Sequence, residues 1–197
     1  MSDTEVVPRA KTEDGSGLSA QARAELRELG LDPHVTPAEP GVAGLVPVEG
    51  RPSISKRAIS APEILNEAHD YAKPSSFSRG LRVELPGATM LFVSGTASVD
   101  EKGETLYPGD FRAQCLRTFR NLTRLLVAEG ASWHDVVRTT CYLRDIERDY
   151  DALNEMRTMF MTAIRLDPLP ASTGIQARLC RSELLVEIEA IAVLPRE

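Results

Sequence analysis

The sequence predicts an α+β fold in which two helices cover one face of a largely antiparallel or mixed β-sheet. Three observations lead to this prediction. Beyond residue 80 the local patterns follow the order β-β-α-β-α-β-β, two segments carry apolar residues at helical spacing, and short turn sequences separate the strand candidates. Grouping both helices on one side of such a sheet gives a two-layer architecture with a single core.

The first 53 residues are predicted to form a flexible arm outside the packed domain. Residues 1–17 are charged and contain Gly and Ser, and residues 31–53 carry five prolines. Between them, residues 18–29 have apolar residues at helical spacing, and Ser19 can cap the helix. A helix this short is marginal alone in water. We therefore expect it to dock, either on its own assembly or on a partner protein.

Residues 54–74 are predicted to connect this arm to the main domain, which spans residues 75–197. A short helix is expected within the connection, with Pro62 at its start after Ser60. Two strands follow, at residues 81–85 and 90–97, because Pro86-Gly87 between them is a turn signal.

The two longer helices are predicted from their caps and their apolar stripes. Asp110 can begin the first helix, which ends near Gly130, and Asp149 is expected to begin the second, which runs to about Ile164. Residues 136–143 form a strand between them. The predicted buried stripes consist of Cys115, Phe119, Leu122 and Leu126 in the first helix, and of Leu153, Met156, Phe160 and Ala163 in the second.

The last two strands are predicted to form a hairpin joined by residues 180–183. Pairing Leu179 with Leu184 stacks the apolar sides of both strands. It also sets Gln176 opposite Glu187 and Gly174 opposite Glu189.

No predicted helix remains to cover the second face of the sheet. This face is expected to mix polar and apolar side chains, namely Gln176, Arg178, Leu185, Glu187, Glu189, Ile191 and Val193. Burying such a face against other copies of the chain predicts a symmetric homo-oligomer with pockets at the subunit seams.

Composition restricts the classes of ligand. The formal net charge of −6 argues against nucleic acids and anionic membranes as partners, because both require a concentrated basic surface. The sequence has no apolar run of 18 residues and no signal-peptide pattern, so a cytoplasmic protein is expected. Its three cysteines and three histidines lack the spacing of zinc ligands, and no metal is predicted.

Four segments together resemble the Rid family, also called YjgF. They are LFVSGTASVD at 91–100, DVVRTTCYLRD at 135–145, PAST at 170–173 and LLVEIEAIAV at 184–193. The resemblance covers residues 75–195 and implies a homotrimer of the chorismate-mutase-like fold, with a central β-barrel and ligand sites between subunits. It also implies hydrolysis of small enamines and imines to 2-keto acids and ammonia, without a metal or an organic cofactor.

The chain departs from the deaminating members of that family at several positions that the resemblance assigns to the site. Ser172 stands where they have a carboxylate-binding arginine, Gly174 where they often have a cysteine, and Phe77-Ser78 where they have Tyr-Ser. Glu187 matches their last-strand glutamate. The residues predicted to contact substrate are Phe77, Ser78, Arg79, Ser172, Thr173, Gly174, Gln176 and Arg178.

Glu187 is the predicted catalytic residue. Partial burial and the like charge of Glu189 would raise its pKa, which suits a proton donor that later orients water, with Gln176 as its hydrogen-bonding partner. Two alternatives stay open. One is a non-catalytic ligand-binding or assembly subunit recruited through the helix at residues 18–29. The other is enol ether hydrolysis, because PASTGI and VEIEA look like the C-terminal half of chorismate hydrolases.

Overall fold

The computed structural model describes residues 18–29, 50, 54–71 and 74–195, which belong to two compact units, Met1–Ser53 and Ile54–Glu197. In the first unit, helix α1 spans Ala20–Glu28, and the Ser19 hydroxyl accepts a hydrogen bond from the Ala22 amide at 3.2 Å. This helix lies within the segment predicted to be helical, residues 18–29. None of the residues of α1 is buried.

The second unit is a six-stranded sheet with two long helices on one face, which confirms the predicted fold class. The strands lie in the order β1-β2-β3-β6-β4-β5, and only β4 and β5 are parallel. Their bounds are β1 Ser55–Ala58, β2 Gly80–Leu85, β3 Ala88–Ala97, β4 Val136–Leu143, β5 Ala171–Gln176 and β6 Val186–Pro195. The helices are α2 Phe111–Ala128 and α3 Ile146–Ala163, and two 3-10 turns occupy Ala68–Asp70 and Trp133–Asp135.

The core lies between the helices and the sheet. Alternate residues of β6, from Val186 to Ala192, are buried there, as the sequence predicts. Phe119 of α2 stacks on Phe160 of α3 with ring centroids 4.8 Å apart, and Trp133 meets both rings edge-on. This packing fixes α2 and α3 against the face of the sheet opposite Glu187.

The predicted C-terminal hairpin is wrong. Strand β5 pairs only with β4, whereas β6 lies between β3 and β4. Gln176 is therefore beside Leu143 and not beside Glu187, whose partner across the sheet is Tyr142. Similarly, Gly174 lies beside Cys141, and Glu189 lies opposite Thr140.

The physical reason lies in the segment that joins the two strands. Residues 180–183 lack the Gly or Asn that a tight hairpin turn requires, and the flanking Leu179 and Leu184 are buried in the core. The Gln114 side chain holds this segment down, because its amide donates to the Glu183 carbonyl at 2.8 Å and accepts from the Leu185 amide at 2.8 Å. The connection therefore crosses over β4 instead of reversing locally.

Two further predictions need correction. The short helix expected in residues 54–73 is replaced by β1, which pairs with the edge of β2, and by the turn at Ala68–Asp70. Helix α3 begins three residues earlier than predicted, because the Asp145 carboxylate caps it by accepting from the Arg148 amide at 3.1 Å. Asp149 instead lies buried in the first turn, paired with Arg148.

The second face of the sheet carries both acidic and apolar side chains. Register places Leu81, Phe92 and Ile191 in one row, and Ile175, Tyr142 and Glu187 in another. Leu81, Phe92 and Ile175 are each about two-fifths exposed. Gln176 does not belong to this face, since its side-chain oxygen accepts from the Ile146 amide at the start of α3. No helix among the described residues is long and apolar enough to cross a membrane.

Candidate active site

A cavity of about 780 Å³ lies beside Glu187. Its volume is typical of small-molecule sites. The residues that line it include Tyr71, Phe77, Arg79, Gly95, Arg181 and Glu187. All belong to one chain, and we call this space the Glu187 cavity.

Glu187 enters the cavity through a gap that Gly95 leaves in the neighbouring strand. The pairing of β3 with β6 shifts between Val93 and Thr96, so Gly95 lies in a β-bulge. A Cβ atom on Gly95 would overlap the Glu187 carboxylate, lying 2.9 Å from its Cδ and closer still to Oε1. Only glycine leaves room for this carboxyl group.

The environment of Glu187 raises its pKa. Burial disfavours the ionised carboxylate and has the larger effect, and the negative charge of Glu189 adds to it. The Glu189 carboxylate also acts on Tyr142, whose pKa is raised by burial and then by that negative charge. The shift of the Glu187 pKa is in the direction that favours a carboxyl group acting as a proton donor.

The other wall of the cavity is cationic and aromatic. The Arg79 side chain is only 6% exposed, and its Nε donates to the Asn66 carbonyl at 2.9 Å. Its guanidinium carbon lies 4.8 Å from the centroid of the Tyr71 ring and 5.5 Å from that of the Phe77 ring. Arg181 contacts the same Tyr71 ring, at 5.7 Å.

The structure divides the predicted site residues between two regions. Glu187, Phe77 and Arg79 line the cavity, and the Ser78 carbonyl beside them accepts from the Ser94 hydroxyl at 2.8 Å. The remaining predicted residues lie at or just beyond edge strand β5, are exposed and do not line the cavity of their own chain; they are Ser172, Thr173, Gly174, Gln176 and Arg178.

The β5 residues make local contacts instead. The Ser172 hydroxyl accepts from Arg157 at 3.0 Å and lies 3.1 Å from the Thr139 hydroxyl. Thr173 accepts from Arg138 at 3.3 Å. The Gln176 side chain accepts from the Ile146 amide, and its strand partner is Leu143. Its predicted pairing with Glu187 is therefore wrong within one chain.

Sequence reasoning missed three residues of the cavity: Tyr71, Gly95 and Arg181. An isolated glycine in a strand pattern is a signal for a bulge or a close approach, so Gly95 could have been found. Tyr71 and Arg181 lie in irregular segments that only the tertiary fold brings together. Among the residues that the structure describes, no cluster of three or more His, Cys, Asp and Glu side chains is arranged to hold a metal ion.

The chain matches the family model described as endoribonuclease L-PSP over residues 72–194. It is 28% identical to a RutC family protein of Pyrococcus abyssi, covering 59% of this chain and 84% of that protein. It is also 33% identical to the 2-iminobutanoate/2-iminopropanoate deaminase of Mus musculus, covering 52% of this chain and 73% of the mouse protein.

Another similarity extends over more of the chain. A chorismatase of Streptomyces rapamycinicus is 30% identical over 86% of this chain, although the match spans only 55% of the chorismatase. Among solved structures, the YjgF gene product of E. coli superimposes with a TM-score of 0.55 and 27% identity, covering 70% of this chain and 98% of that structure. E. coli TdcF with bound serine gives 0.56 and 25%, with the same coverage.

Proposed function

Because the chain belongs to the endoribonuclease L-PSP family, the YjgF/RutC/Rid group, we propose that it hydrolyses a small enamine or imine to a carbonyl compound and ammonia. Deaminases that act on 2-imino acids are among its relatives. The observation that carries the proposal is Glu187, a partly buried carboxyl group of raised pKa that reaches a cavity beside Gly95.

Glu187 can perform each proton transfer of this reaction. As the acid it protonates the β-carbon of the enamine, which leaves an electrophilic iminium carbon. The resulting carboxylate removes a proton from water while the water oxygen bonds to that carbon, giving a carbinolamine. Glu187 then protonates the amine, ammonia leaves, and the carboxylate takes the proton of the hydroxyl group as the carbonyl forms. The balance is one enamine and one water giving one ketone and one ammonia.

We place this chemistry in a homotrimer. Two features support association. Among the described residues no strand pairs with the outer edge of β5, and the second face of the sheet exposes the apolar side chains of Leu81, Phe92 and Ile175 in the single chain. In the trimer, the predicted substrate-contacting residues of β5 act on the Glu187 cavity of a neighbouring copy. Mass photometry or light scattering of the full chain tests this, and a monomer at working concentration would contradict it.

Ammonia release from 2-aminoacrylate, generated in situ, tests the reaction. The spontaneous rate is subtracted, because such enamines also hydrolyse in water. We expect Glu187→Gln to lower the catalysed rate about 10²- to 10⁴-fold, the usual contribution of a general acid or base. Glu189→Gln is the matched control: it removes only the smaller of the two causes that raise the Glu187 pKa, so it should change the rate far less. A Glu187→Gln variant with unchanged activity would overturn the assignment.

Enol ether hydrolysis is the second candidate, because the similarity to a chorismatase extends over 86% of this chain, a larger share than residues 72–194 occupy. An enol ether also begins with protonation at carbon, so Glu187 would have the same role. Release of pyruvate from chorismate, with no ammonia from enamines, would favour this candidate. Binding without turnover of either substrate would favour a ligand-binding subunit.

The arm that carries α1 is proposed to recruit a protein partner. Deleting residues 1–50 tests this proposal. We expect the oligomer mass and the rate of the deaminase assay to stay unchanged. Dissociation of the oligomer on deletion would instead assign the arm to its assembly.

A further inference from the structure

We propose that Arg79 and Tyr71 form a carboxylate-binding subsite in the Glu187 cavity, so that this chain supplies both the acid and the anchor of its substrate. The inference rests on the proposed function and deepens it, because it assigns recognition of the substrate carboxylate to two residues outside β5, the strand on which Ser172 stands in place of the arginine.

Arg79 is a buried cation whose hydrogen bonds are incomplete. Its Nε has an acceptor in the Asn66 carbonyl, but its Nη2 is buried without one. No carboxylate among the described residues lies within 4 Å of its guanidinium. An uncompensated buried charge is costly, and a bound anion would remove much of that cost.

Tyr71 presents a second unsatisfied donor beside it. The phenol oxygen is also buried without a hydrogen-bond partner, and the ring lies against the Arg79 guanidinium. A hydroxyl donor next to a planar guanidinium is the combination that a carboxylate accepts from. Two neighbouring buried donors without acceptors on one cavity wall therefore indicate a missing acceptor.

The charges around Tyr71 favour an anion at this place. Burial is the main cause that raises the Tyr71 pKa, and the positive charges of Arg79 and Arg181 oppose it. The negative charges of Asp100 and Glu67 act in the other direction, each more weakly than either arginine. The electrostatic balance at the phenol is thus positive.

Arg157 is an alternative anchor for a carboxylate, since it contacts Ser172 on β5. It is half-exposed, and both of its terminal nitrogens already have acceptors, Ser172 at 3.0 Å and Asn154 at 2.5 Å. Its charge has no comparable desolvation cost, because solvent and nearby oxygens accept its hydrogen bonds. The observations therefore favour Arg79 over Arg157.

Binding of pyruvate and of its uncharged amide, pyruvamide, tests the subsite by calorimetry on the full-length protein. These probes need no turnover, so the subsite can fail while the proposed reaction stands, and the reverse. We expect pyruvate to bind the wild type more tightly than pyruvamide. Arg79→Gln should weaken pyruvate roughly 10-fold or more and leave pyruvamide unchanged, since one charge-assisted hydrogen bond contributes at least that factor.

Arg157→Gln is the matched control and should bind pyruvate like the wild type. Tyr71→Phe keeps the ring against Arg79 and removes only the hydroxyl, so it tests the subsite if Arg79→Gln fails to fold. It should weaken pyruvate several-fold and leave pyruvamide unchanged. Equal affinity for the acid and the amide in the wild type would overturn the proposal. So would loss of pyruvate binding in Arg157→Gln combined with normal binding in the Tyr71 and Arg79 variants.

Discussion

Strands β5 and β6 both carry predicted site residues, yet they provide opposite environments. Strand β6 lies between β3 and β4, so its apolar residues are buried and Glu187 is half-buried. Strand β5 is an edge strand whose six residues are all exposed. The side chains of β5 stay in contact with water in the single chain, whereas the carboxyl group on β6 has lost part of its hydration.

This difference shows that the position of a carboxyl group in the sheet determines its proton affinity more than the residue type does. A carboxyl group on β5 would keep an ordinary proton affinity, because solvent would stabilise its charge. On β6 the same group has a raised pKa, because burial disfavours its charge.

The largest expected effect concerns stability. Ile188 of β6 is 1% exposed and Ile175 of β5 is 42% exposed. Ile188→Ala should lower the free energy of unfolding by about 2–5 kcal/mol, since it leaves a cavity in the core. Ile175→Ala should change it by less than about 0.5 kcal/mol. Urea unfolding at one fixed protein concentration measures both.

The Ile175 variant also reports on association. If Ile175→Ala lowers the free energy of unfolding nearly as much as Ile188→Ala does, another copy of the chain covers β5 in solution. The contrast between the two strands would then hold for the single chain only.

The next effect concerns two glycines: Gly95 lies beside Glu187 of β6, and Gly174 lies in β5. Gly95→Ala should displace the Glu187 carboxyl and lower the rate of ammonia release on the order of 10²-fold, as misplacing a catalytic group does. Gly174→Ala is the comparison on β5. Its Cβ would meet only the edge of the Tyr150 ring, at 3.3 Å, and that side chain can move. As a predicted substrate contact, Gly174 affects KM, whereas Gly95→Ala should lower kcat. Equal kcat values in the two variants would mean that the position of Glu187 is unimportant.

Much of β6 could be predicted from the sequence, because its alternation of apolar and acidic residues is strict and one face is wholly apolar. The raised pKa of Glu187 followed from the same pattern. The partner of β6 could not be predicted, since strand adjacency depends on long-range contacts. The buried leucines at 179 and 184 stack equally well in a hairpin and in a crossover.

The cavity was less predictable than the fold. The predicted members Phe77, Arg79 and Glu187 do meet there, although they lie far apart in the chain. Tyr71 lies between β1 and β2, just after a 3-10 turn, so no periodicity marks it. Its importance comes from burial of a hydroxyl without a partner, and only three-dimensional packing can create that.

The pH dependence of the reaction separates Glu187 from its neighbour on β6. If protonated Glu187 is the acid, the rate falls as pH rises through its raised pKa. Glu189→Gln removes a negative charge that contributes to this rise, so the descending limb should move to lower pH. A pH–rate profile of both proteins measures the shift. Movement to higher pH, or none, would show that Glu189 does not act on the catalytic group.

The smallest expected effect is the contribution of Glu187 to stability. Its pKa is higher in the folded chain than in the unfolded chain, so the folded state binds the proton more tightly. The resulting stabilisation is complete below the unfolded pKa and is lost as pH rises through the folded pKa. Compared with Glu187→Gln, whose amide does not titrate, the wild type should therefore lose stability over that interval. Urea midpoints collected across the acidic range test this, and parallel curves for the two proteins would mean that β6 leaves Glu187 as well hydrated as the residues of β5.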